Sequence, residues 1–173
     1  MSRKKLYINY ELLMAKIADL EKATAFLNTI ARKTEEEFLS DQIFISSAKY
    51  ELIVAIEAAQ SICNHLAARV AKEAPDSYAD CFRILGKDKV ISQELAKKLV
   101  SMAKFRNLLV HQYGKVDDTI VYGILKNDTA DLITYIEQIK SFLKAVQKEE
   151  QREEAQNNEK SKALPDGCRK KEN

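Results

Sequence analysis

The sequence contains few of the residues that break helices or build tight turns. Among 173 residues there are only four glycines and two prolines, and tryptophan is absent. A β-rich fold needs many turns, and glycine and proline are the residues that most often form them. Their scarcity argues against a chain of short strands and favours long helices. The hydrophobic fraction of 46% and the charged fraction of 31% are typical of one globular domain with a substantial core.

Two further absences narrow the class of protein. No apolar run approaches the roughly 20 residues that a membrane span needs, and charged residues interrupt the N-terminal segment before a signal-peptide core can form. Cysteine occurs three times, widely spaced and never as CxxC, at Cys63, Cys81 and Cys168. This pattern predicts reduced, packed thiols rather than a disulfide framework or a zinc site. We therefore expect a cytoplasmic protein with no membrane association and no metal.

The charge is unevenly distributed. The formal net charge is only +2, but the segment from Lys87 to Lys115 carries seven basic residues against two acidic ones. Such a surplus favours a phosphate-bearing partner, an RNA or a nucleotide. A solvated helix face is the alternative interpretation of the same charges.

Apolar residues recur at helical spacing along four long segments. The first apolar seam runs from Leu6 to Leu27, and the second helix, about 42–72, begins after Ser40 or Asp41, where Phe38-Leu39-Ser40-Asp41 breaks the pattern. A third helix begins at Ser92 and ends near His111. The last begins at Asp128 or Thr129 and keeps its apolar spacing to Gln147, with Leu132, Ile133, Ile136, Ile139, Phe142, Leu143 and Val146 predicted to face inward.

Shorter helical pieces connect these segments. One follows Pro75-Asp76-Ser77 and reaches Leu85, with Gly86 as its predicted C-cap; another covers Ile120 to Leu125. Together the patterns predict an all-α fold, a bundle of four to five helices. Residues 1–147 form the predicted helical domain, and the charged, amide-rich residues 148–173 form a predicted tail, a fraying helix that runs into disorder.

The most informative run is Arg106-Asn-Leu-Leu-Val-His111-Gln-Tyr113. Arginine is a permanent cation that binds phosphate, and histidine is the residue type best suited to proton transfer near neutral pH. Five residues place Arg106 and His111 roughly 140° apart around a regular helix. One helix therefore cannot grip a phosphate with both, whereas a C2 homodimer would gather two copies of each around one axis.

These residue types could cleave RNA without a metal. His111 would act as general base on a 2′-hydroxyl or as general acid to the leaving oxygen, and Arg106 would stabilise the charge of the transition state. In the alternative, structural interpretation, His111 caps the last carbonyls of its helix and Arg106 forms an ordinary surface ion pair.

The same run, with Val116-Asp117 behind it, resembles the signature of HepT-type HEPN-domain proteins, the toxins of HepT–MntA toxin–antitoxin systems. The similarity extends to the segments 56–66, 75–78 and 99–105, so it covers roughly residues 6 to 146. The resemblance implies a HEPN-like α-helical homodimer that acts as a metal-independent RNase, with Arg106 and His111 as catalytic residues at the dimer interface and no cofactor.

The resemblance also implies a partner and a means of control. An MntA-like nucleotidyltransferase antitoxin would transfer AMP from ATP to Tyr113, and the bulky anionic adenylate would exclude RNA from the groove. Asn107 would help to position the substrate. A non-catalytic helical subunit that binds nucleotide or docks on a nucleotidyltransferase is the competing function.

Three more residues carry expectations. The family often has an acidic residue where this chain has Ser61, which predicts a weaker nuclease if that acid orients the catalytic groups. His65, on a largely apolar helix, is predicted to be a structural, hydrogen-bonded residue. Glu57 lies eight residues earlier on roughly the same helix face and is a candidate for a residue that supports the catalytic groups.

Overall fold

Helices account for all the regular secondary structure of the part of the chain that the computed structural model describes, residues 8–162. The elements are α1 (Tyr10–Ile30), α2 (Glu35–Leu39), α3 (Gln42–Leu66), a π-helical turn (Ala67–Ala71), α4 (Tyr78–Lys87), α5 (Gln93–His111), a 3₁₀ turn (Tyr113–Lys115), α6 (Asp118–Asn127) and α7 (Thr129–Lys162). The predicted all-α fold is confirmed, and its four main helices are α1, α3, α5 and α7.

Polar side chains define where most of these helices begin. Five N-cap side chains each accept a hydrogen bond from a backbone N–H in the first turn: Asn9, Asp41, Ser77, Ser92 and Asp117. The predicted starts at Asp41 and Ser92 are confirmed. One helix was not predicted: α2 forms where the apolar pattern breaks, because Thr34 and Glu37 make a reciprocal capping box.

Two helix pairs form most of the packing in the first part of the chain: α1 lies along α3, and α4 lies along α5. Gly86, predicted as a C-cap, is instead buried inside the last turn of α4, which ends at Lys87 and is capped by Asp88. The correction has a physical reason. A Cβ on residue 86 would lie 2.7 Å from the Cβ of Ala96 on α5, so glycine serves the close approach of two helices rather than a turn.

The first turns of α7 close this core. Tyr135 is fully buried, its hydroxyl donates to the carbonyl oxygen of Ala59 at 3.1 Å, and burial raises its pKa. Its ring meets that of Phe82 edge to face, with 5.9 Å between centroids. The predicted inward positions Leu132, Ile136 and Ile139 are buried, but Ile133 is 37% exposed; Tyr135 is the inward residue that the spacing missed.

The cysteines differ from expectation. Cys63 on α3 and Cys81 on α4 form a disulfide, with Cα atoms 6.0 Å apart and both residues fully buried. The prediction of reduced thiols is therefore wrong for these two. Their pairing depends on how α3 and α4 pack, because two cysteines 18 positions apart carry no local sign of a bond. Cys168 lies outside the described residues.

The chain divides into two compact units, residues 1–139 and 140–173. Helix α7 spans the boundary and continues past Gln147, the last residue of the predicted domain, to Lys162. The predicted tail at 148–173 is thus helical in its first part, and its last residues lie outside the described range. None of the helices within residues 8–162 is both long and apolar enough to cross a membrane.

Candidate active site

Arg106 is held on three sides in the described fold. Its Nη2 forms an ion pair with Oε1 of Glu57 on α3. Its guanidinium carbon lies 5.0 Å from the ring centroid of Tyr78 on α4, within the range of a cation–π contact. Nη1 donates weakly to Oδ1 of Asn107, at 3.4 Å. The structure therefore brings Glu57 and Asn107 to the arginine, and α3 and α4 fix its orientation.

The guanidinium is largely enclosed. The side chain of Arg106 is only 14% exposed, whereas that of Glu57 is 49% exposed. The Nε–H of Arg106 is buried and has no hydrogen-bond acceptor among the described residues. Such a donor is costly unless an acceptor is supplied, and a phosphate oxygen is an acceptor that an arginine fork fits well.

His111 is placed differently. It is the last residue of α5, it is exposed, and none of the described residues forms a hydrogen bond or ion pair with it. The helix end is closed instead by the backbone N–H of Gln112, which donates to the carbonyl oxygen of Leu108 at 2.8 Å. The alternative in which His111 caps the final carbonyls is thus not what the fold shows. Because α5 is unbroken from Arg106 to His111, the roughly 140° between them persists.

Tyr113 follows directly in the 3₁₀ turn. The residue is 42% exposed, and its hydroxyl donates to the carbonyl oxygen of Ser46 on α3 at 3.2 Å. The Nζ of Lys49 lies 5.4 Å from its ring centroid. Tyr113 is therefore anchored to α3 by its hydroxyl and remains partly exposed, two residues after His111.

Two further residues considered in the sequence analysis are Ser61 and His65. Ser61 is exposed and lines, with Glu57, Lys16 and Tyr50, a groove of about 460 Å³ between α1 and α3. Its position leaves Glu57 as the carboxylate that contacts the arginine. Nε2 of His65 accepts from the backbone N–H of Asn9 at 3.1 Å, as predicted for a hydrogen-bonded structural histidine. Burial and, to a lesser extent, the Arg69 charge lower its pKa.

Comparison with known families decides the class of protein. A family described as Ribonuclease HepT-like matches residues 17–162. The chain belongs to this HepT-like ribonuclease family. Its relatives include the mRNA nuclease HepT of Shewanella oneidensis, 29% identical over 105 residues that make up 61% of this chain and 79% of that protein. The tRNA nuclease HepT of Aphanizomenon flos-aquae is 28% identical over 116 residues, 66% of this chain and 78% of that protein.

Solved structures show the same fold as this HepT-like chain. A tri-AMPylated HEPN toxin of Shewanella oneidensis in complex with the MNT antitoxin superposes with a TM-score of 0.69 at 25% identity, covering 75% of this chain and 97% of that one. A toxin–antitoxin complex with AMP-PNP gives a TM-score of 0.70 at 24% identity, covering 76% and 98%. The HEPN-like all-α architecture is thus confirmed.

The sequence of this HepT-like chain concealed three contributors to the site. Lys49 and Ser46 on α3 contact Tyr113, and Tyr78 contacts Arg106. One signal for Lys49 was available: it lies four residues after Ile45 and three before Leu52, inside the apolar arc of its helix. A charged residue at such a position needs a buried partner. No comparable signal marks Ser46, because its contribution is a backbone carbonyl.

Proposed function

We propose that this HepT-like protein is the RNase toxin of a type VII toxin–antitoxin system and cleaves RNA without a metal at a site completed by a homodimer. The observation that carries the proposal is the division of the motif on α5. Arg106 is oriented by Glu57 and Tyr78, whereas His111 is exposed on another side of the same helix. A second copy related by C2 symmetry would unite the two groups around one phosphate.

The proposed reaction is a transesterification. One His111 takes the proton of the 2′-hydroxyl, and the freed oxygen attacks phosphorus. The bond from phosphorus to the 5′-oxygen then breaks, and the second His111 of the dimer donates the proton that this oxygen takes up. The products are a 2′,3′-cyclic phosphate and a 5′-hydroxyl. Arg106 stabilises the additional negative charge that develops on the phosphate oxygens.

The surface of α5 supports an RNA partner. Lys97 and Lys104 are exposed and precede His111 at intervals of seven residues, which places all three on nearly the same side of the helix. Lysines along such a line attract the phosphates of an RNA strand and release its counterions. In this arrangement Asn107 contacts the substrate beside Arg106, and Glu57 keeps the guanidinium oriented.

Neutralisation is the second part of the proposal. An MntA-like nucleotidyltransferase antitoxin would bind ATP, and the hydroxyl oxygen of Tyr113 would attack the α-phosphorus. The bond to pyrophosphate breaks, the tyrosine proton is released, and AMP remains attached. A bulky anion two residues from His111 blocks the groove and repels RNA phosphates. We place both proteins in the cytoplasm, where the RNA substrate of the toxin is.

The experiment that tests the proposal uses protein produced without its nucleotidyltransferase, incubated with RNA in EDTA. We expect cleavage to 2′,3′-cyclic phosphate ends. Arg106→Ala and His111→Ala each lose about 100-fold or more in rate, the usual cost of removing charge stabilisation or acid–base catalysis. Arg83→Ala is the matched control and should cleave RNA like the wild type. This exposed arginine pairs only loosely with Asp80, at 3.8 Å. Tyr113→Phe should cleave RNA but accept no AMP.

Two results would contradict the nuclease proposal. One is intact RNA with unmodified wild-type protein that binds the nucleotidyltransferase normally, which favours the non-catalytic subunit. The other is undiminished cleavage by His111→Ala. Cleavage that requires an added divalent cation would overturn metal independence alone.

A further inference from the structure

Lys49 is a charged residue in the apolar arc of α3. Only 5% of it is exposed, and it lies between the buried positions Ile45 and Leu52 on the same side of the helix. A buried ammonium loses most of its hydration, so it must be paired and hydrogen-bonded for the fold to tolerate it. Its partners therefore indicate what the lysine is for.

Those partners all belong to the segment that follows the His111 end of α5. The Nζ of Lys49 forms an ion pair with Oδ1 of Asp118 at 2.6 Å. It also donates to the carbonyl oxygens of Tyr113 and Val116, each at 3.4 Å. Two of the three N–H donors of the ammonium thus bind backbone carbonyls, and its contact with Asp118 is an ion pair rather than a third hydrogen bond, because Oδ1 of Asp118 has no hydrogen-bond donor among the described residues. One side chain thereby joins α3 to both ends of the 3₁₀ turn and to the first residue of α6.

The same contacts set the position of Tyr113. Lys49 holds its carbonyl oxygen and lies 5.4 Å from its ring centroid. The hydrogen bond from the Tyr113 hydroxyl to the carbonyl oxygen of Ser46 must break during the reaction, because the hydroxyl oxygen has to leave that carbonyl before it can attack a phosphorus atom. When the side chain turns outward, Lys49 still holds the main chain from which it projects.

We infer that Lys49 is a positioning residue for AMP transfer to Tyr113. The inference rests on the proposed function. A tyrosine in a loop is a poor acceptor unless its oxygen reaches the α-phosphorus in line with the departing pyrophosphate. A displacement of about 1 Å in such a geometry can cost about 100-fold in rate. Lys49 and Asp118 together supply this constraint, and neither needs to touch ATP.

The test measures AMP incorporation at Tyr113 by intact mass and peptide mapping, with the cognate nucleotidyltransferase, ATP and magnesium. Lys49→Met should lower kcat for AMP transfer by about tenfold or more while leaving the KM for ATP unchanged, because ATP binds to the transferase. Asp118→Asn retains the shape of its side chain but loses the charge, and should show a smaller loss. Asp118→Asn also provides a test of the inference if Lys49→Met does not fold.

Lys98→Met is the matched control. It removes an ion pair to Asp131 with a Nζ–oxygen distance of 3.0 Å, which contacts neither Tyr113 nor its turn. It should transfer AMP at the wild-type rate at a temperature where all variants are folded. The inference fails if Lys49→Met is modified as fast as the wild type, or if Lys98→Met slows equally. Absence of AMP on wild-type Tyr113 would instead overturn the proposed mode of neutralisation.

Discussion

At the scale of single residues, the two histidines show how the same side chain takes opposite roles. His111 ends a helix, is exposed and has no polar partner among the described residues, so it is free to meet a substrate. His65 lies near the end of α3 and uses Nε2 to accept a hydrogen bond from the backbone that begins α1. Nε2 can accept this hydrogen bond only while it is unprotonated, so the contact between α3 and the start of α1 depends on pH.

The lowered pKa of His65 predicts a dependence of stability on pH. Because the folded state disfavours the proton relative to an unfolded histidine near 6.5, the stabilising contribution is complete above pH 6.5. It is lost as the pH falls through the lowered value. The loss should stay below about 1.4 kcal/mol per pH unit, the limit for one proton. His65→Gln should remove this part of the slope in urea unfolding between pH 7.5 and 5.

The other histidine supplies the control for that measurement. His111→Gln alters an exposed group without a polar partner among the described residues, so its stability profile should follow the wild type. If His65→Gln has the same slope as the wild type, the hydrogen bond to Asn9 does not govern the acid side of the stability curve.

At the scale of helices, the contact of α4 with α5 depends on a single missing Cβ. Gly86 and Ala96 allow the two helices to approach more closely than larger side chains would permit. This contact bears on the site, since α4 carries Tyr78 and α5 carries Arg106, the two sides of the cation–π pair. Separating the helices would disturb the arginine as well as the core.

Gly86→Ala should therefore destabilise the protein by about 1–3 kcal/mol, the usual cost of overpacking, although alanine normally favours a helix. The double variant Gly86→Ala/Ala96→Gly should recover part of this loss. Gly123→Ala in α6, where nothing lies within 4 Å of the added Cβ, should be neutral or gain up to about 1 kcal/mol. Urea unfolding measures all three, and equal effects at positions 86 and 123 would contradict close packing as the cause.

At the scale of the whole molecule, the Cys63–Cys81 disulfide is a covalent link between α3 and α4. These helices supply Glu57 and Tyr78, two of the groups that contact Arg106. In the cytoplasm, thiol reductants keep most cysteines reduced. Both sulfur-bearing residues are fully buried, which restricts the access that thiol exchange requires.

Thiol counting tests this link. Protein isolated under acid quench and unfolded without reductant should titrate two fewer thiols than the fully reduced protein. Reduction should lower the free energy of unfolding by about 3 kcal/mol, as expected for a closed loop of this length. Cys81→Ala should abolish the difference in thiol number, and Cys168→Ala should preserve it. Equal thiol numbers with and without reductant would show that the pair is not oxidised in the isolated protein.

The sequence alone predicted the all-α class, the positions of the main helices and most of the residue types of the candidate site. These features depend on interactions between residues one or two turns apart. Apolar spacing selects a helix and its inner face, and a polar side chain such as Ser92 caps the helix that follows it. The Arg106–His111 run was visible for the same reason, because its residues are close in the chain.

Tertiary packing decided the features that join distant residues. Glu57 and Arg106 are 49 positions apart, and Lys49 lies 64 before Tyr113; which of many charged residues meet depends on how α3 lies against α5 and the 3₁₀ turn. Cys63 and Cys81 pair for the same reason. Local spacing defines helices, but the directions in which they pack determine which buried charges and thiols find partners. The residue types of the Arg106–His111 run are thus visible in the sequence, whereas the orientation of the arginine depends on how the helices pack.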